Sequence, residues 1–137
     1  MFNVDSNTVK QEQAGVWKEY KGSRFLIAHI NNPVFQKIYT RLQLPHRKAI
    51  DKGRLDPDIQ VDIVAKSLSK GILLDWQDVI DNSNNKIPYS VDAAERVLKH
   101  NSEFRDFVMA VAEDISQFVE EERDELGKDR KTSSDGS

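Results

Sequence analysis

The sequence predicts a mainly α-helical domain of about four to five helices with a small N-terminal β-hairpin. Two stretches open with a capping residue followed by proline, Asn32-Pro33 and Asp56-Pro57, which is a common start of an α-helix. A stripe of apolar residues at three-and-four spacing runs through residues 104–119, as in an amphipathic helix. Two runs rich in β-branched and aromatic residues precede the first helix, and this composition favours strands.

The hairpin is predicted from Val16–Tyr20 and residues 24–30, with Lys21-Gly22-Ser23 as a three-residue loop. An isolated hairpin is barely stable in water. We therefore expect it to lie against helices or to pair with a neighbouring subunit.

The first helix is predicted to begin at Pro33 and to end near Pro45, and the second to run from Pro57 to Gly71. Each carries an apolar stripe at helical spacing. The stripe residues are Phe35, Ile38, Tyr39 and Leu42 in the first helix, and Val61, Val64, Ala65 and Leu68 in the second.

Residues 72–80 are compatible with a short helix or an irregular buried segment, and we favour a helical turn, followed by an Asn-rich turn at residues 81–86. Ser90 is expected to cap a helix over residues 91–99. Asn101 or Ser102 then caps the last helix, which is expected to be the longest and to anchor the core. Its stripe consists of Phe104, Phe107, Val108, Val111, Ala112, Ile115, Phe118 and Val119.

The chain has 137 residues, a length that suits one domain. Residues 1–13 are polar and are predicted to be a flexible lead-in, and residues 14–126 to be the single domain. Residues 127–137 are charged and then rich in serine and glycine, so they are predicted to be a disordered tail.

Composition limits the possible functions. The chain has no cysteine and a net charge of -3, so disulfides and thiolate chemistry are excluded and no general field attracts nucleic acid. Arg47-Lys48 with Lys52 and Arg54, and residues 128–131, are basic but interrupted by acids. We interpret both clusters as solvated surface. No run approaches the length of a membrane span, and no secretory signal is expected.

No pattern indicates catalysis, a cofactor or a metal. His29, His46 and His100 fall on different elements and form no ligand pair by spacing. The stretch from Asp81 to Asp92 has some spacings of a calcium loop, but it lacks the central glycine and the final glutamate. We predict a plain turn there, and a binding protein rather than an enzyme.

The order of landmarks resembles the tail assembly chaperones of long-tailed bacteriophages over roughly residues 15–121. One departure is Asn84-Asn85-Lys86, where such proteins often have a glycine, although asparagine tolerates the same left-handed backbone. The matching landmarks are Gly15-Val16-Trp17-Lys18-Glu19-Tyr20, Gly22-Ser23-Arg24-Phe25-Leu26-Ile27-Ala28, Asn32, Phe35, Leu74-Asp75-Trp76, Ile87-Pro88-Tyr89-Ser90, Ala94, Leu98, Phe107, Ala112, Asp114 and Phe118.

The resemblance implies a protein of the infected host cytoplasm, absent from the mature virion, that keeps the tape measure protein soluble while tail tube subunits polymerise. It also implies a possible frameshifted longer form of the chain and contact with the tail tube protein. We further expect a homo-oligomer, without nucleic-acid or membrane partners.

Two other functions remain open, a structural virion component such as a head-tail joining protein and, less favoured, a small metal-dependent enzyme acting through Asp81. The positions nominated for partner contact are Phe2, Val4, Trp17, Tyr20, Trp76 and Tyr89.

Overall fold

The computed structural model describes residues 15–114 and Phe118. It is mainly α-helical with a minor β-sheet, as the sequence predicts. In chain order the elements are β1 (Val16–Tyr20), β2 (Ser23–Ile27), α1 (Pro33–Gln43), a 3-10 helix (Leu44–His46), α2 (Arg47–Asp51), α3 (Pro57–Gly71), β3 (Leu73–Gln77), α4 (Val91–His100) and α5 (Ser102–Glu113).

The predicted hairpin is present, and its loop is one residue shorter than expected. Lys21 and Gly22 alone form the turn, with φ values of 50° and 86°, because Ser23 already pairs with Tyr20. Two consecutive positive φ values match the twist of a tight hairpin. β2 ends at Ile27, so residues 28–30, predicted as strand, lie outside the sheet.

The helical turn favoured for residues 72–80 is wrong. Residues Leu73–Gln77 form β3, which pairs antiparallel with β2 and completes a sheet of order β1-β2-β3. Trp76 lies opposite Phe25, and a register irregularity falls between Leu26 and Ile27. β3 forms because the edge of β2 that is not paired with β1 offers backbone hydrogen-bond partners to residues 73–77. The sequence of these five residues alone does not show that pairing, so the tertiary contact determines that they form a strand.

α1 and α3 begin where the proline signals predict. The Asn32 side chain accepts from the Phe35 backbone N–H at 2.9 Å, and the Asp56 side chain accepts from the Asp58 N–H at 2.9 Å. α1 ends before Pro45 as expected, but the chain stays helical through the 3-10 helix and α2. Proline suits the first positions of a new helical turn because its missing N–H would be unpaired there.

The main core lies on the sheet face that bears Val16, Phe25, Ile27 and Trp76, and the helices cover it. From α3 the buried residues include Ala65 and Leu68, whereas Val61 and Val64 of the predicted stripe are only half-buried. The buried residues of α4 and α5 are Ala93, Ala94, Leu98, Phe104, Val108, Val111 and Ala112.

The last helix anchors the core as predicted, but it is not the longest helix that the structure describes. Asn101 caps it, α5 has 12 residues, and Asp114 takes an extended conformation with ψ of 91°. α3 has 15 residues. Ile115 and Val119 of the predicted stripe lie outside the described residues, and so do the predicted lead-in and tail.

Candidate protein-binding surface

Trp76 and Tyr89, two nominated contact residues, join β3 to the segment before α4. The Trp76 Nε1–H donates to the Ile87 carbonyl at 2.7 Å, and the Tyr89 hydroxyl donates to the Leu73 carbonyl at 2.6 Å. Burial, together with the nearby Asp75 carboxylate, raises the pKa of Tyr89. Trp76 is only 5% exposed, so its visible role is structural.

Trp17 and Tyr20 lie on opposite faces of the sheet. The Tyr20 ring packs on Phe107, with centroids 4.6 Å apart, at the edge of the core. Trp17 lies on the other face opposite Leu26, and the Arg24 guanidinium lies 5.3 Å from its ring centroid. Trp17 is therefore the nominated aromatic that the structure leaves half-exposed on the uncovered sheet face. Phe2 and Val4 lie outside the described residues.

The described histidines do not converge. The His29 Nδ1 accepts from the Asn31 N–H at 3.1 Å, and its ring contacts Phe118 at 4.8 Å between centroids. Its buried Nε2 has no hydrogen-bond partner among the described residues. Within the same part of the chain, no group of three or more potential metal ligands occurs.

The Asp81 carboxylate organises the Asn-rich turn by accepting hydrogen bonds from backbone N–H groups of that turn. One carboxylate oxygen accepts from the Ser83 and Asn85 N–H groups at 2.8 and 3.0 Å, and Asn84 has φ of 64°. A carboxylate used in this way forms an Asx turn. The Asp81 carboxylate thus has hydrogen-bond partners within its own turn.

A different surface stands out by its charge. Residues 37–54, named here the basic arm, comprise the last two turns of α1, the 3-10 helix, α2 and the turn after it. They contain a single acid, Asp51, and six cations, so their net charge is +5 within a chain of -3. The six cations are Lys37, Arg41, Arg47, Lys48, Lys52 and Arg54.

None of these six cations forms an ion pair among the described residues. The ion pairs there lie elsewhere, for example Lys66 and Lys99 on Asp62. All six side chains are exposed. Among the described residues the positive charge of the basic arm is therefore not balanced by ion pairs, and such charge raises the local concentration of acidic partners.

The basic arm also presents apolar surface. No side chain from residue 36 to residue 62 is fully buried, and Leu44 is 55% exposed. A shallow cavity of about 230 Å³ opens between α1 and α2, lined by Thr40, Gln43, Leu44, Arg47, Ile50 and Asp51. Aliphatic side chains beside a guanidinium are suited to an amphipathic segment that carries acids.

Four of these six cations form the basic cluster that the sequence analysis interprets as solvated surface. That cluster groups Arg47-Lys48 with Lys52 and Arg54, but it leaves out Lys37 and Arg41. An available signal was the net charge of +5 over 18 residues of an acidic chain. Only the structure shows that these cations form no ion pair among the described residues.

None of the described helices is long and apolar enough to cross a membrane. The exposed apolar side chains of the described surface include Leu44 in the basic arm, Ile80 before the Asn-rich turn and Val91 at the start of α4, and Trp17 is half-exposed on the outer sheet face.

Comparison with protein families matches residues 30–129 to the model described as YdaY prophage protein. The match covers most of the chain, including the basic arm and α3 to α5. The chain therefore belongs to the YdaY prophage protein family and is phage-derived. No curated protein and no solved structure matches it significantly.

Proposed function

We propose that the protein is a phage tail assembly chaperone that binds the tape measure protein and keeps it soluble while tail tube subunits polymerise around it. Two observations support this proposal. The chain is of phage origin, and its landmarks over residues 15–121 resemble those of phage tail assembly chaperones. The observation that carries it physically is the basic arm, an exposed surface that combines half-exposed aliphatic side chains with six cations that have no ion pair within the described part of the chain.

The basic arm suits a client that is long, helical and amphipathic. Leu44 and Ile50 line a cavity that can take one aliphatic side chain of a client helix. Arg41, Arg47 and Lys48 lie nearby and can form ion pairs with acidic residues on the flank of that client helix. Apolar contact with a charged rim is a recurrent mode of helix recognition. Each contact is small, so affinity must come from repetition.

Repetition follows if many copies coat one client, or if copies associate with each other. A linked second contact is governed by an effective concentration in the millimolar range for short flexible linkers, so avidity can exceed single-site affinity by about 10² to 10⁴. A homo-oligomer in the host cytoplasm would supply this gain. In this proposal the protein acts by binding, without catalysis or a cofactor, and leaves before the virion is complete.

Co-expression with the tape measure protein of the same phage tests the function. We expect the tape measure protein to move from the insoluble to the soluble fraction and to co-purify with this chain. Aggregation that is unchanged by co-expression would contradict the proposal.

Mass spectrometry of purified virions separates the chaperone from a head-tail joining protein. A chaperone is absent from finished particles, whereas a joining protein is present in a fixed copy number. Stoichiometric recovery from virions would replace the proposed function with the structural one.

A further inference from the structure

An acidic run of the same chain matches the basic arm in charge and in apolar content. Residues 119–126 carry five acids and one cation, Arg123, a net of -4, between the apolar residues Val119 and Leu126. The five acids are Glu120, Glu121, Glu122, Asp124 and Glu125. We propose that this acidic segment covers the basic arm of its own molecule.

The place where the described chain ends puts the acidic segment within reach. Phe118 packs against His29, close to the start of α1 at Pro33. The 11 residues of α1 span about 16 Å at 1.5 Å per residue. Eight extended residues reach about 26 Å, so residues 119–126 are long enough to follow α1 from Phe118 to the cavity beside α2.

The cavity accounts for the apolar ends of the segment. Leu126 is of a size to enter the space between Leu44 and Ile50, which brings the preceding acids beside Arg41 and Arg47. Phosphate backbones would use the cations but not the half-exposed aliphatic side chains, because nucleic-acid interfaces are more polar and more positively charged than protein interfaces. The surface therefore favours a polypeptide occupant over nucleic acid.

Tethering makes even a weak contact effective. With an effective concentration of about 1 mM, a segment that binds in trans with a Kd of about 0.1 mM covers the basic arm in roughly nine molecules of ten. A partner that binds the basic arm must then displace the acidic segment. The inference concerns this chain alone and does not depend on the identity of the client.

Zero-length carbodiimide cross-linking of the full chain tests the contact, because it joins a lysine amine to a carboxylate only where the two touch. An equal mixture of ¹⁴N- and ¹⁵N-labelled protein distinguishes contacts within one molecule from contacts between copies. We expect cross-links from Lys37 and Lys48, both exposed, to residues 120–125, within one isotope label, that fall several-fold in high salt. Lys70, exposed but outside the basic arm, is the matched control.

Three outcomes would overturn the inference. The cross-links could be absent, could form equally at Lys70, or could join different isotope labels, which would make the occupant a second copy. In a parallel titration with a short DNA duplex at physiological salt, we expect no binding. Binding lost on Arg47→Glu with Lys48→Glu would assign the basic arm to nucleic acid instead.

Discussion

Asn32 shows how much of the fold can depend on one side chain. Its amide oxygen caps α1, and its amide nitrogen donates to the His29 carbonyl at 2.7 Å and to the Gly71 carbonyl at 3.1 Å. The side chain is 1% exposed. One residue thus joins the end of the sheet, the start of α1 and the end of α3. Sequence reasoning predicted the cap, whereas the two other bonds depend on residues 3 and 39 positions away.

Replacing this side chain should be costly. We expect Asn32→Ala to lower the free energy of unfolding by about 3 kcal/mol, because a cap is lost and two carbonyls, one buried and one partly buried, lose a donor. Asn31→Ala, at an exposed neighbouring position, should change it by less than about 0.5 kcal/mol. Urea denaturation followed by tryptophan fluorescence measures both. Equal effects of the two substitutions would contradict this role.

Asp62 gives a prediction about pH. Partial burial raises its pKa, but hydrogen bonds with Lys66 and Lys99 outweigh that effect, and its pKa is lowered from the ordinary 3.8. A lowered folded pKa means that the stability is present above the pKa of the unfolded chain and is lost as pH falls through the folded pKa.

We therefore expect Asp62→Asn to cost about 0.5 kcal/mol at pH 7, since the pair is partly solvated, and progressively less as pH is lowered below 4. Urea denaturation at a series of pH values compares the variant with the wild-type chain. A difference that stays constant over that series would show that the carboxylate charge is not the cause.

At the scale of elements, local signals predicted the helices well and the third strand poorly. Helix starts depend on neighbouring residues, such as Asn32 with Pro33 and Ser90 with the N–H of Ala93. β3 instead depends on β2, about fifty residues earlier in the chain. The sequence shows the cations of the basic arm but not their lack of ion pairs among the described residues, because ion pairs form between residues that the sequence does not show to be neighbours.

α1 and α3 approach each other closely at Gly71. A Cβ added there would lie 2.7 Å from the Phe35 Cα and 2.8 Å from its backbone nitrogen, distances that neither backbone can accept without moving. We expect Gly71→Ala to lower the free energy of unfolding by about 2 kcal/mol through this clash. Thermal melting measures it, with Lys70→Ala as the exposed neighbouring control. A variant that melts within a degree of the wild-type chain would mean that the helices can separate freely.

At the scale of the whole molecule, charge is unevenly distributed. The basic arm carries +5, so the other residues carry -8, the difference between -3 and +5. Separated charge of this kind orients an approaching partner and gives binding that weakens with salt. The basic arm lies on the part of the chain with no fully buried side chain, outside the core that covers one face of the sheet. A partner can therefore bind to it and leave without disturbing the core.

The central claim is that the basic arm binds the tape measure protein, and its most direct measurement is a quantitative pull-down with charge-reversed chains. Arg47→Glu with Lys48→Glu changes the basic arm, and Lys70→Glu with Arg96→Glu changes the net charge equally at exposed positions elsewhere. Titrating the amount of immobilised chain gives an apparent Kd, and we expect the first variant to bind the tape measure protein at least about tenfold more weakly, or by about 1.4 kcal/mol, and the second to bind nearly as well as the wild-type chain. Equal apparent Kd values for both variants would contradict the claim.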